Sequence, residues 1–133
     1  MKTFVTTAFV ILLLASWPRA RGQSASDPCV DGTSPQQLAC AEREFSLASG
    51  QLKQARADLY ADLEPRSRVK LRAAERLWLR YRKSNCEAEA SVYEGGTIQP
   101  LIELRCMARV TRERAAELKA QSQTLSGTDE NED

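Results

Sequence analysis

Apolar and small residues recur along the chain at helical spacing in three separate runs. The first is Leu38, Ala41, Phe45, Ala48, Leu52, Ala55, Leu59 and Leu63. Its steps alternate between three and four, which places the whole set on one helical face. Ser34-Pro35-Gln36-Gln37 stands in front of it. Ser34 predicts a cap, Pro35 the first helical position, and Gln37 the residue that completes a capping box. Pro65 restricts Glu64, so the helix is expected to end near Asp62 or Leu63. Gly50 lies inside it and costs about 1 kcal/mol against alanine, unless a close helix crossing uses the missing side chain.

The second run opens at Pro65. Leu71, Ala74, Leu77, Trp78, Tyr81, Asn85, Ala88 and Val92 predict its inward face, with Trp78 and Tyr81 as the aromatic centre. Arg72, Arg76 and Arg80 form a separate row at steps of four. The run stops at Gly95-Gly96, where the chain can take left-handed angles cheaply. The third run is Leu101, Leu104, Ala108, Thr111, Ala115 and Leu118. Its helix starts between Thr97 and Pro100, with either Thr97 or Gln99 as cap. Arg109 and Glu113 are spaced for an exposed i,i+4 pair. From Gln121 the chain turns polar and leads through Ser126-Gly127-Thr128 into Asp129-Glu130-Asn131-Glu132-Asp133. No stretch alternates with the period of a strand. The expected fold is therefore all-α: an antiparallel three-helix bundle over residues 23–121, followed by a disordered acidic tail over 122–133.

The first residues change the picture of where this bundle resides. Lys2 is followed by an apolar run from Phe4 to Trp17, and Ala20-Arg21-Gly22 offers small residues at two cleavage positions. This is the layout of a secretory signal peptide over residues 1–22, with Ala25 as the alternative cleavage site. The run is short for a membrane span, so none is expected after cleavage. Ser26-Asp27-Pro28 before Cys29 is not a lipoprotein signal, and a soluble periplasmic or secreted protein is expected.

Export gives the four cysteines a role. Cys29, Cys40, Cys86 and Cys106 suggest two disulfides. No close C-x-x-C spacing and no histidine occurs, which argues against a metal site. Cys86 and Cys106 are equidistant from Gly96, so an antiparallel hairpin brings them opposite each other. Cys29 then pairs with Cys40. The rival scheme joins Cys40 to Cys86 or Cys106, because the start of the first helix also lies near the end of the second.

The formal charge is +1. Without Lys2, Arg19 and Arg21 it becomes about −2, far from the basic excess of a nucleic-acid binder. The absence of histidine removes the commonest general base. Glu87, Glu94, Glu113 and Glu117 fit solvated helix faces. Gly95-Gly96 lacks the context of a phosphate loop. Neither catalysis nor a cofactor is expected.

Four pieces then occur in order. Cys40-Ala41 opens a helix. Ala74-Glu75-Arg76-Leu77-Trp78-Leu79-Arg80-Tyr81-Arg82 is followed by Cys86. Glu94-Gly95-Gly96-Thr97 comes next. Leu104-Arg105-Cys106 is followed by Thr111-Arg112-Glu113-Arg114 and Leu118. As a set they resemble the LprI-like lysozyme-inhibitor family, small exported bacterial helical proteins, over roughly Cys29 to Leu118. Where that family often has an acid after the arginine of W-x-x-Y-R, this chain has Lys83. The resemblance implies an all-helical, disulfide-bonded body that inhibits lysozyme.

Two functional expectations follow. In the first, the chain binds lysozyme through the turn between the second and third helices: Glu94, Gly95, Gly96, Thr97 and Gln99, with Glu89 or the acidic tail meeting a basic enzyme. In the second, it is an envelope structural or adaptor protein. Its arginine-rich face, Arg72, Arg76 and Arg80 with Arg105, Arg109 and Arg112, then binds another protein or an anionic polymer.

Overall fold

The computed structural model describes residues 27–129; the predicted leader and the last acidic residues lie outside them. Three helices account for nearly all of it: α1 (Ser34–Asp62), α2 (Pro65–Ser91) and α3 (Gln99–Asp129). Two disulfides staple them, Cys29–Cys40 and Cys86–Cys106, each with Cα atoms 5.5 Å apart.

The cap of α1 sits one residue earlier than the sequence suggests. Thr33 is extended (φ −63°, ψ 159°) and forms the capping box with Gln36, whose Oε1 accepts the Thr33 N–H at 2.8 Å. Thr33-Ser34-Pro35-Gln36-Gln37 holds two overlapping boxes. The choice falls on the first because Gln37 is needed elsewhere: its amide donates to the carbonyls of Val30 and Gly32, at 2.8 and 3.0 Å. Leu63 and Glu64 are extended ahead of Pro65, which ends α1 and opens α2 as expected.

The most extensive contact is between α1 and α3, while α2 packs mainly on α3. Leu38 lies beside Leu101, Glu44 is 3.7 Å from Arg112, and Ser122 donates to Asp62 at 2.5 Å. The first and third helices therefore run in the same direction and α2 runs against both. Small side chains allow the close approach. Ala41, Ala48 and Ala55 recur every seven residues on α1, as Leu101, Ala108 and Ala115 do on α3, and all are buried. Leu52, Ala55, Leu59, Ala115 and Leu118 form one core cluster; Cys86, Cys106 and Val110 form a second. Trp78 packs against both. Gly50 is exposed and faces open space, so no helix crosses there.

On α2 the packed face is rotated from the expected one. Leu77 and Tyr81 are 60% and 56% exposed, and Val92 is 79% exposed. The inward row is Leu71, Glu75, Trp78, Arg82 and Cys86. Two of these are charged, and a buried charge is costly unless it is paired. Both have partners. Glu75 accepts from Arg114 Nη2 at 3.2 Å. The Arg82 guanidinium lies 5.0 Å from the Trp78 ring centre and 5.3 Å from that of Phe45. Its Nη1 donates to the buried Thr111 hydroxyl at 2.9 Å. Burial lowers the Arg82 pKa from its ordinary value.

Helix α3 continues past Gln121 to Asp129, into the segment expected to be disordered. Two of its polar residues bond back into the helix: Thr124 and Ser126 donate to the carbonyls of Ala120 and Ser122. Leu125 joins Leu59, Leu63, Leu71 and Ala74 in one apolar groove.

Candidate protein-binding site

The connection between α2 and α3 is a tight, hydrogen-bonded turn. Tyr93 N–H donates to Ala90 O at 3.0 Å, Gly96 N–H to Tyr93 O at 2.9 Å, and Gln99 N–H to Gly96 O at 3.2 Å. The Gln99 side chain reaches back and accepts the Gly95 N–H at 3.2 Å. Gly95 has φ +75°, an angle that other L residues adopt at a cost. A Cβ on Gly96 would lie 3.1 Å from Tyr93 O, so the second glycine answers to close approach.

The hairpin below the turn is braced. Ala90, Leu101, Cys86 and Cys106 are buried. Asn85 Nδ2 lies 3.6 Å from Cys106 Sγ, and Arg109 bridges to Glu89 at 2.7 Å. Glu89 is thus occupied within the fold. Beside the turn, the start of α1 closes a shallow groove: Ser34, Pro35 and Leu38 face Thr97, Ile98 and Leu101. The Cys29–Cys40 clip holds this corner, and Arg105 Nη2 donates to Cys29 O at 2.9 Å.

The structure brings Glu94, Gly95, Gly96, Thr97 and Gln99 together at this tip. It adds three residues that sequence reasoning missed. Val92, Tyr93 and Ile98 are large apolar side chains standing exposed around the glycines. Their signal was available: apolar residues flank a glycine turn, where no helix can cover them. Among the described residues, the Thr97 N–H, the Thr97 hydroxyl and the Ile98 N–H hold no hydrogen-bond partner.

The predicted basic face divides. Arg72 and Arg76 line a groove between α1 and α2, while Arg80 is exposed outside it. On α3, Arg105 is used on Cys29 O, Arg109 pairs with Glu89 and with Glu113 at 3.7 Å, and Arg112 pairs with Glu44. Lys83 makes a surface pair with Glu87, which raises its pKa.

All four cysteines are in disulfides. Among the described residues, no group of three or more His, Cys, Asp or Glu side chains could hold a metal ion. None of the helices there is long and apolar enough to cross a membrane.

Fold and site define a class: a small, disulfide-stapled helical protein with a hydrogen-bonded, apolar-tipped turn between its second and third helices. Residues 29–118 match the family described as Lysozyme inhibitor LprI, and the chain belongs to that family. The chain is also similar to an uncharacterized protein of Rhizobium meliloti (strain 1021), 27% identical over 122 residues, covering 81% of this chain and 88% of that protein. No solved structure matches it significantly.

Proposed function

We propose that this protein is an exported, periplasmic or secreted, inhibitor of lysozyme that binds the enzyme through the α2–α3 turn. Membership of the family supports the activity. One structural observation supports the site: three large apolar side chains, Val92, Tyr93 and Ile98, stand exposed on a hydrogen-bonded turn whose hairpin is closed by the Cys86–Cys106 bond. Lysozyme cleaves with two carboxylates in a groove. The unpartnered N–H groups of Thr97 and Ile98 and the Thr97 hydroxyl suit such acids. Val92, Tyr93 and Ile98 supply the apolar anchors that dominate binding energy. The turn is fixed before it binds, so little ordering entropy is lost on association.

A basic enzyme would be repelled by arginines nearby. Arg80 precedes Val92 by twelve residues, about 18 Å along a helix that rises 1.5 Å per residue. That exceeds the screening length of about 8 Å at physiological salt. The row Arg72, Arg76 and Arg80 therefore lies beyond screening range of the turn; the nearer arginine is Arg105 on α3, bound to Cys29 O, and Glu94 is the charge at the tip.

The test is inhibition of cell-wall clearing by lysozymes of several classes, titrated with the oxidised protein. Near-stoichiometric inhibition is expected. Val92→Asp or Ile98→Asp should weaken it at least tenfold while far-UV circular dichroism stays unchanged. Absence of inhibition against every class tested would refute the proposal.

A further inference from the structure

We infer that the groove between α1 and α2 is a second binding site, for a linear anionic glycan. The two helices meet only weakly along their length, since each packs on α3. The gap they leave is lined by Lys53, Arg56 and Tyr60 of α1 and by Arg72, Arg76 and Leu79 of α2. It continues along α1 to Ser49, sharing Lys53, Arg56 and Leu79, and there it reaches Arg82. From Tyr60 to Ser49 the helical rise gives about 16 Å, the length of a strand and not of a single anion.

Charge singles this groove out. Elsewhere Lys83, Arg109 and Arg112 each pair with a carboxylate; Arg66, Lys70, Arg80 and Lys119 are exposed without an ion pair but do not line this groove, so what sets the groove apart is the gathering of its cations on two facing walls. Lys53, Arg56 and Arg76 have no ion pair or hydrogen bond among the described residues, and Arg72 has only the Tyr60 ring. The single carboxylate of the lining, Glu75, is held by Arg114. Four cations are thus gathered on two facing walls without internal compensation. Such an arrangement lowers folding stability and is complementary to a polyanion. Arginine forks suit carboxylate and phosphate oxygens alike.

Other polyanions fit less well. Binding of single-stranded nucleic acid relies on open aromatic faces. Here Arg68 and Arg72 lie over Tyr60, at 5.2 and 5.6 Å, and Arg82 covers Trp78. An amphipathic peptide helix needs a continuous apolar groove, and the cations interrupt this one. Two disulfides also imply an oxidising compartment, where acidic wall and capsule polymers are found.

The test uses the full oxidised chain and an oligogalacturonate probe, with neutral dextran, single-stranded oligo(dA) and polyglutamate as comparisons. Oligogalacturonate should bind and weaken steeply as salt rises, and dextran should not bind. The variant Lys53→Gln/Arg56→Gln/Arg72→Gln/Arg76→Gln should lose at least tenfold in affinity. Arg66→Gln/Lys70→Gln/Arg80→Gln/Lys119→Gln, with the same change in charge, should lose less than threefold. Lysozyme inhibition by the groove variant should be unaltered, which separates this site from the turn and also reports that the variant is folded. Equal losses in the two variants would reduce the binding to net charge and overturn the site. Equal or tighter binding of oligo(dA) or polyglutamate would overturn the glycan. Failure of oligogalacturonate to bind would overturn both.

Discussion

Replacing Arg82 should destabilise the fold more than any substitution at an exposed arginine. The guanidinium contributes two ring contacts, about 0.5–1 kcal/mol each. Its hydrogen bond to buried Thr111 comes from a charged donor, about 1.5–3 kcal/mol. Its methylene stem adds roughly 1 kcal/mol of packing. Against this, Arg82 Nε is buried without a partner, an offset of about 1–3 kcal/mol. Arg82→Ala should therefore cost about 3 kcal/mol by these increments. Arg82→Met keeps the stem and should cost about 2 kcal/mol. Urea unfolding followed by far-UV circular dichroism, with disulfides intact, would measure both. For a body of this size, 3 kcal/mol corresponds to a fall in Tm of about 15 °C. A double-mutant cycle with Thr111→Val should return a coupling of about 1 kcal/mol or more. An Arg82→Ala variant within about 0.5 kcal/mol of the parent, or a coupling near zero, would show that the network holds nothing together.

Five other outcomes are expected. Gly50→Ala should stabilise α1 by about 0.5–1 kcal/mol, read as a raised urea midpoint, because the site is helical, exposed and open around its Cα. Gly95→Ala should destabilise by about 1–2 kcal/mol through the left-handed angle alone and should weaken lysozyme inhibition with it. Cys86→Ala/Cys106→Ala should cost about 3 kcal/mol for a loop of 20 residues. Glu75→Ala should cost about 2 kcal/mol, less than a fully buried pair, because Arg114 keeps Glu117 at 3.1 Å. Alkylation and mass spectrometry under mild reduction should show the partly exposed Cys29–Cys40 bond opening before the buried Cys86–Cys106 bond.

The faces of α1 and α3 were legible because alanine and leucine at steps of three and four have one sensible destination. The disulfides were legible because a glycine turn sets the hairpin register. The face of α2 was not. Tyr81, Leu77 and Val92 look like core by residue type, and Glu75 and Arg82 look like surface. What reverses them lies on other helices: Arg114 and Thr111 on α3 and Phe45 on α1 make burial of those charges tolerable. The same rotation exposes Val92, so the error in the core and the omission at the turn have one cause. The basic row divides for a similar reason. A helix row drifts around its axis, so Arg80 leaves the groove that Arg72 enters, and Lys53 and Arg56 arrive from a helix that no local pattern connects to them.

The pairing of α1 with α3 also orders the folding of the chain. Its largest interface joins the two elements farthest apart in sequence, and such contacts form late because a long loop must close first. The α2–α3 hairpin can form from contiguous residues and lock through a nearby cysteine pair. Helix α1, made first, has almost nothing to fold against until α3 exists. A nascent chain of this design cannot complete its core until its last helix has been synthesised.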